Sequence, residues 1–177
     1  MNQSRINRVI ENMAQCGLTQ LLVTNTPSVY YLTGHHIAPG ERMLALYLNA
    51  SGDIRLYANR LFALSDETLP ITEFSDTDDC IDILAGGVKP GKLGIDNFWP
   101  SHFTIRLMEK RRDITPMVGS APVENARMIK DAEEIAFSEL GCESVKRFTI
   151  EDLPLTVALD CHGGNIFTEG KAQYRTV

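Results

Sequence analysis

The chain has 177 residues, 44% of them hydrophobic, and a net charge of −6 at pH 7. This length fits one domain, or one domain and a fragment of a second, and the apolar content excludes wholesale disorder. The basic cluster Lys110-Arg111-Arg112 has no interleaved aromatic residues, so no nucleic-acid partner is expected. No apolar run approaches the roughly 18 residues of a membrane span, and the N-terminus lacks a signal-peptide core. We therefore expect a cytoplasmic protein without a membrane partner.

The spacing of apolar and turn-forming residues divides the chain into alternating helices and strands. Ser4 is the expected N-cap of the first helix and Gly17 its stop. A turn-forming cluster at 49–53 between two apolar runs predicts a β-hairpin, and the acidic residues 77–79 precede a helix. In chain order, the predicted elements are a helix over 4–16, a strand over 18–25, one or two helical turns over 28–34, a hairpin over 43–59, a short helix over 60–65, a strand over 69–75, a helix over 80–87, a strand over 92–97, a helix over 102–112 and a strand over 113–119.

The character of the sequence changes at Ser120. Residues 120–128 are expected to form a proline-containing connection, and a further helix is expected to start near Ile129. Helix-linked strands favour parallel pairing, whereas the hairpin requires one antiparallel pair. The sequence therefore predicts an α/β fold with a mixed β-sheet that is flanked by helices.

Three segments carry a resemblance to a known family. They are LLVTNTPSVYYLTGHHIAPGERMLALYL (21–48), KLGIDN (92–97) and ARMIKDAEEI (126–135). In this order they resemble the N-terminal domain of the creatinase/prolidase/aminopeptidase P family, the pita-bread metallopeptidases that include Xaa-Pro dipeptidases. The resemblance implies a ribonuclease-H-like domain over 1–126, a junction helix toward a catalytic domain over 127–140, and a divergent tail over 141–177.

The resemblance also implies a metal site that this chain lacks. Full-length members hold two divalent ions, commonly manganese or zinc, with carboxylates and a histidine of a catalytic domain. The residues after Leu140 that could serve as such ligands are Glu143, Glu151, Asp152, Asp160, Glu169 and His162. So short a tail is not expected to frame a two-metal centre. We therefore expect a non-catalytic domain of a proline-specific metallopeptidase, truncated before its catalytic domain, with no catalytic residue, metal site or cofactor of its own.

Two alternative functions stay open. The chain could be an oligomerisation or binding module that forms a homodimer or associates with a full-length peptidase. It could also be a truncation or frameshift product without a selected function. Whether the chain is an enzyme is left open as well, because the family is enzymatic and the expected ligands are missing.

The loop after the second helix holds the candidate binding residues His35, His36, Glu41 and Arg42. The resemblance implies that this loop faces a substrate pocket of a partner subunit. The alternative is a pair of solvent-exposed loop histidines. Arg42 could clamp a peptide carboxylate, or it could pair with Glu41 and hold the loop.

Other polar residues have simpler interpretations. Tyr30 and Tyr31 are expected to pack, and Asp96 either faces a ligand at a strand end or caps a turn. Ser65 and Ser120 have no histidine and acid at a recognisable spacing. The four cysteines are expected to be free thiols, and a zinc site of Cys142, Cys161 and His162 matches no common spacing.

Overall fold

The computed structural model describes residues 1–128, which form six strands and five α-helices. In chain order these are α1 (Gln3–Gln15), β1 (Gln20–Val23), α2 (Thr26–Thr33), β2 (Ala45–Asn49), β3 (Ile54–Asn59), a 3₁₀ turn (Arg60–Phe62), β4 (Ile71–Phe74), α3 (Cys80–Gly87), β5 (Gly91–Ile95), α4 (Ser101–Lys110), β6 (Ile114–Val118) and α5 (Ala121–Met128). No helix among these residues is long and apolar enough to cross a membrane.

The strands form one mixed sheet in the order β4-β3-β2-β1-β5-β6. Strand β2 is antiparallel to both of its neighbours, whereas the other pairs are parallel. The predicted hairpin is confirmed as β2–β3, with Leu46 opposite Leu56. The predicted α/β fold with a mixed sheet between helices is also confirmed.

The core lies on both faces of the sheet. Leu21, Val23 and Leu46 belong to the cluster beneath α1, α2 and α5. Leu22 and Leu93 belong to the cluster beneath α3 and α4. All four residues of β1 are buried, which explains why its sequence reads as a continuous apolar run instead of alternating.

The first helix begins earlier than its sequence indicates. Asn2 is the N-cap, and its side chain accepts a hydrogen bond from the Arg5 amide, so the expected Ser4 cap is wrong. Because the helix begins at Gln3, Ser4 lies inside the first turn and cannot be the N-cap. Its hydroxyl instead donates a hydrogen bond to Asn2 Oδ1. The stop at Gly17 agrees with the structure, since Gly17 has φ +67° and follows the last helical turn.

The expected connection over 120–128 is a helix. Pro122 lies in the first turn of α5, where its missing N–H costs no helical hydrogen bond. Val123 and Ala126 are buried in the same cluster as α1, and this packing stabilises the helix. The helix expected near Ile129, the junction helix over 127–140 beyond Met128, the tail over 141–177 and the residues discussed as metal ligands in it lie outside the described residues.

The direction of the strands collects six loops at one end of the sheet. Since every strand except β2 runs the same way, the segments after β1, β3, β4, β5 and β6 meet the segment that enters β2. We call this end of the sheet the carboxyl edge. Ligands of open α/β sheets bind at this kind of edge.

Candidate functional site

The loop with the candidate residues reaches the carboxyl edge because of its glycines and proline. Gly34, with φ +80°, ends α2 and turns the chain away from the helix. Gly40 has φ +59°, and the Arg42 amide donates to the Pro39 carbonyl at 3.0 Å, which closes a tight turn before β2. Between these turns Ile37 is buried and anchors the loop to the core.

Arg42 is held by a residue that the sequence analysis did not consider. Its Nε and Nη2 donate to the two Asp76 carboxylate oxygens, each at 2.8 Å. Asn59 also donates to Asp76, at 2.7 Å. The Arg42 guanidinium lowers the pKa of Asp76, and this carboxylate in turn raises the pKa of Arg42. The ion pair of Arg42 is thus with Asp76, and Glu41 contributes a weaker electrostatic attraction that also raises the pKa of Arg42.

The two adjacent histidines have different environments. His35 is half-buried, and its Nε2 lies 2.9 Å from Asp66 Oδ2. A hydrogen bond from the Thr68 hydroxyl, followed by the one from His35, holds the pKa of Asp66 well below its usual range. His36 is exposed and meets the Tyr30 ring edge-on, with 5.8 Å between the centroids. Only His36 therefore matches the expectation of an exposed loop histidine.

A cleft of about 280 Å³ opens beside this loop. Its walls are the turn after β1, the Pro39–Arg42 turn and the segment from Phe98 to Phe103. The Phe98 ring is 66% exposed, whereas Trp99 is buried, and the indole Nε1 of Trp99 has no hydrogen-bond partner among the described residues. Arg42 lines the same cleft, so a cationic side chain and an exposed aromatic residue share its walls.

Asp96 holds the floor of the carboxyl edge together. Its carboxylate accepts hydrogen bonds from the Thr24 amide and hydroxyl, the Asn25 amide at 2.9 Å and the Phe98 amide at 3.1 Å. These bonds join the end of β1 to the end of β5. The structure therefore favours the turn-and-cap interpretation of Asp96 over a ligand-facing role.

The remaining candidates have structural roles or no described role. Tyr31 is buried, and its hydroxyl donates to the Ala126 carbonyl at 3.1 Å, as packing predicts. Ser120 is buried, and its hydroxyl oxygen accepts from the Asn97 amide at 3.0 Å. Ser65 is exposed. None of these residues lies in an arrangement for nucleophilic catalysis within residues 1–128.

The described residues offer binding groups rather than reacting groups. Within residues 1–128, no three His, Cys, Asp or Glu side chains lie close enough together to hold a metal ion. The side chains at the carboxyl edge include the Arg42 guanidinium and the exposed Phe98, residue types that are enriched at protein interfaces. The sequence analysis missed Asp66, Asp76 and Phe98. For Asp66, the local signal was Asp-x-Thr, since the Thr68 amide donates to Asp66 Oδ1 at 2.8 Å.

Comparisons with known proteins match most of the chain. The family model described as Creatinase/Prolidase N-terminal domain matches residues 5–129. A curated Xaa-Pro dipeptidase from Pyrococcus horikoshii is 27% identical over 146 residues, which are 81% of this chain and 39% of the relative. The chain therefore spans about two fifths of the length of that relative.

Solved structures agree with this match. The crystal structure of a dipeptidase from Pyrococcus horikoshii has 28% identity and a TM-score of 0.68, over 76% of this chain and 39% of that chain. The creatinase/prolidase N-terminal domain of an X-Pro dipeptidase from Streptococcus pyogenes has a TM-score of 0.56 over 64% of this chain and 99% of that chain. At 13% identity, this second likeness concerns the fold alone.

A second family model matches the later part of the chain. It is described as Fumarase C-terminus and covers residues 107–170, so it overlaps the first match over 107–129. This match covers just over a third of the chain and lies mostly outside the described residues.

Proposed function

The chain belongs to the creatinase/prolidase N-terminal domain family, and we propose that it serves as a non-catalytic N-terminal domain of the Xaa-Pro dipeptidase type. In this role it supplies substrate-facing surface and no reacting group. The divalent ions that the resemblance implies do not fit the described residues, because these provide no cluster of ligands for them. Binding such ions is assigned to a catalytic domain outside residues 1–128.

The observation that carries this proposal is where the similarity lies. The matching family is named as an N-terminal domain and covers residues 5–129, while the match to the curated relative takes in 39% of that protein. Residues 107–170 are instead similar to a fumarase C-terminus. Both observations support the role of an N-terminal domain for residues 5–129.

The carboxyl edge is the proposed substrate-facing surface. It brings together Arg42 and the exposed Phe98 around one cleft, and His36 is exposed on the loop that leads to this cleft. Glu41 is exposed on the same loop. A guanidinium and an aromatic ring are common anchors for bound polypeptides. We propose that these side chains line one wall of a pocket whose reacting centre belongs to another polypeptide.

The test is a hydrolysis assay with the purified chain. We expect no metal-dependent cleavage of Xaa-Pro dipeptides when Mn²⁺ or Zn²⁺ is added, because residues 1–128 hold no cluster of metal ligands. The Pyrococcus horikoshii Xaa-Pro dipeptidase, assayed in parallel, is the positive control. Turnover that persists through purification to homogeneity, and that a chelator abolishes, would contradict the proposal.

A second candidate function is assembly with another chain. Phe98 and Val118 are 66% and 79% exposed, and they follow or end neighbouring strands at the carboxyl edge. Large apolar side chains that lie together on a surface commonly mark an interaction site. We propose that this surface pairs with a second copy of the chain or with a full-length peptidase.

A further inference from the structure

A pocket of about 510 Å³ lies at the opposite end of the sheet from the carboxyl edge, where β3 begins. Residues of β2, β3 and β4 form one side of it, and the end of α3 with the turn that follows forms the other. Pockets of this size commonly hold small-molecule ligands. We call it the amino-edge pocket.

The Tyr57 side chain ends in this pocket with a hydroxyl that the fold does not use. Tyr57 is 2% exposed, yet none of the hydrogen bonds of residues 1–128 involves its hydroxyl. The hydroxyl lies against Gly87, which also lines the pocket, and a Cβ atom at position 87 would overlap it. Because buried polar groups are nearly always hydrogen-bonded, the free hydroxyl points to an acceptor that comes from outside the fold.

Arg55 brings a positive charge to the same wall. It lies two residues before Tyr57 on β3, so both side chains lie on the same face of the sheet. Arg55 Nη1 donates to the Thr72 hydroxyl at 3.0 Å, and Thr72 stands opposite Tyr57 on β4. The guanidinium therefore lies near the Tyr57 side chain. Burial raises the pKa of the Tyr57 hydroxyl, and the Arg55 charge opposes this shift.

The charges around the pocket leave Arg55 unbalanced. Lys89 Nζ lies 2.8 Å from Asp53 Oδ2, so these two opposite charges compensate each other. Within residues 1–128, Arg55 has its bond to the Thr72 hydroxyl and no carboxylate partner. The carbonyl end of α3 would disfavour an anion, but the Arg111 guanidinium donates to two carbonyls at this end. The pocket wall is therefore suited to a ligand with one negative charge.

We propose that the amino-edge pocket binds a small organic carboxylate with an apolar body. The Arg55 guanidinium carries N–H donors in a planar fork that matches a carboxylate, and the Tyr57 hydroxyl donates to the same group. The buried Tyr47 ring and Ile83 provide apolar surface for the rest of the ligand. A phosphate dianion fits less well, because one guanidinium balances only one of its charges.

This proposal does not rest on the proposed function. The amino-edge pocket and the carboxyl edge lie at opposite ends of the strands. Failure of one proposal therefore leaves the other standing, and the two are tested with different ligands.

The test is a titration of the full chain with benzoate, followed through backbone amide resonances in NMR spectra. Benzamide is the matched control ligand, because it has nearly the same shape without the charge, and inorganic phosphate is the second control. We expect benzoate to shift the Arg55 and Tyr57 resonances with a saturable curve and a Kd in the millimolar range, as for other ligands of this size. Benzamide and phosphate are expected to bind about tenfold or more weakly. No saturable shift with benzoate, or binding of either control as tight as that of benzoate, would overturn the proposal.

Variants of the two proposed contacts locate the bound carboxylate. Arg55→Gln and Tyr57→Phe are each expected to raise the Kd for benzoate by about tenfold or more, the usual effect of losing a hydrogen bond to a charged group. Arg60→Gln is the matched control, because Arg60 is 62% exposed beyond the other end of β3 and does not line the pocket. Its Kd is expected to stay unchanged. The proposal fails if either pocket variant binds benzoate normally, or if Arg60→Gln weakens binding as much as they do.

Urea unfolding separates a binding role of the Tyr57 hydroxyl from a structural one. It is followed through the fluorescence of Trp99, the single tryptophan. Tyr57→Phe removes a hydroxyl without a partner, so the urea midpoint is expected to stay the same or to rise. Tyr47→Phe is the control, because the Tyr47 hydroxyl donates to Gln20 Oε1 at 2.9 Å, and its midpoint is expected to fall. A midpoint that falls as far in Tyr57→Phe as in Tyr47→Phe would show that the fold uses the hydroxyl, and would overturn the proposal.

Discussion

The Asp96 carboxylate joins the ends of two neighbouring strands through three hydrogen bonds from Thr24 and Asn25, and it accepts a fourth from the nearby Phe98 amide. Replacing it with alanine leaves the Thr24 and Asn25 amides without their acceptor. We expect Asp96→Ala to lower the free energy of unfolding by roughly 2–3 kcal/mol, the usual cost of stranded polar groups. Urea unfolding followed by Trp99 fluorescence measures this change.

Asp82→Ala is the control, since Asp82 is 71% exposed and pairs with Lys110 at the surface. The free energy of unfolding is expected to fall by less than about 1 kcal/mol in this variant. Equal losses for the two variants would contradict this role.

Which polar residues the sequence could identify depended on how far away their partners lie in the chain. Asp96 was recognisable as a strand-end residue, but its partner Thr24 lies 72 residues away. Arg42 was recognisable as a loop cation, but its partner Asp76 lies 34 residues away and was not identified from the sequence. A turn residue such as Gly17 acts through its own backbone, and the helix stop at Gly17 was predicted correctly. Sequence patterns over a few neighbouring residues do not indicate which distant loops will meet, because the order of the strands in the sheet determines that.

The end of α1 shows how a single glycine can stop an element. The Leu18 amide donates to the Met13 carbonyl at 2.9 Å and the Gly17 amide to Ala14 at 3.1 Å, the bonding pattern of a Schellman motif. Gly17 has φ +67°, so we expect Gly17→Ala to lower the free energy of unfolding by about 1–2 kcal/mol, as measured by urea unfolding. Gly86→Ala is the matched control, because Gly86 lies inside α3 with open space around it and without a positive φ. We expect Gly86→Ala to raise the free energy of unfolding by up to about 1 kcal/mol. A lower free energy of unfolding for Gly86→Ala, or an unchanged one for Gly17→Ala, would be inconsistent with this account.

Two prolines show why some elements were predicted wrongly and others correctly: the effect of each proline depends on where its backbone nitrogen lies. Pro122 suggested a connection, yet it occupies the first turn of α5, and burial of Val123 against α1 decides the outcome. Pro116 lies inside β6, where a proline usually counts against a strand. The Gly119 amide bonds the Ile95 carbonyl, and the Asp113 carbonyl accepts from Gly91. The backbone nitrogen of Pro116 therefore points away from β5, toward the outer edge of the sheet, where a missing N–H is tolerated. The sequence shows that a proline donates no backbone hydrogen bond. It does not show whether that proline lies in the first turn of a helix or at the edge of a sheet, where the missing N–H is tolerated.

At the scale of the whole molecule, the alternation of elements was enough to predict the sheet and not enough to predict its order. The hairpin over 43–59 fixes β2 beside β3, but no local signal indicates that β1 lies between β2 and β5. That order places the loops after β1 and β5 side by side and gathers the cleft, the Pro39–Arg42 turn and the exposed Phe98 at one edge. The candidate site is therefore a product of topology, and individual motifs revealed only the loop from His35 to Arg42.

The exposed apolar residues at the carboxyl edge lead to a prediction about assembly. Phe98 and Val118 lie on neighbouring strand ends, and burying both against a second copy would remove two large apolar surfaces from water. We expect the purified chain to form dimers at concentrations up to about 100 μM, detected by size-exclusion chromatography with light scattering, and Phe98→Glu to return it to the monomer. Ile105→Glu is the control, because Ile105 is 57% exposed on α4, away from the strand ends, and is expected to leave the dimer intact. A chain that stays monomeric throughout this range, or dimers that Phe98→Glu and Ile105→Glu weaken equally, would rule out the carboxyl edge as the surface for self-association.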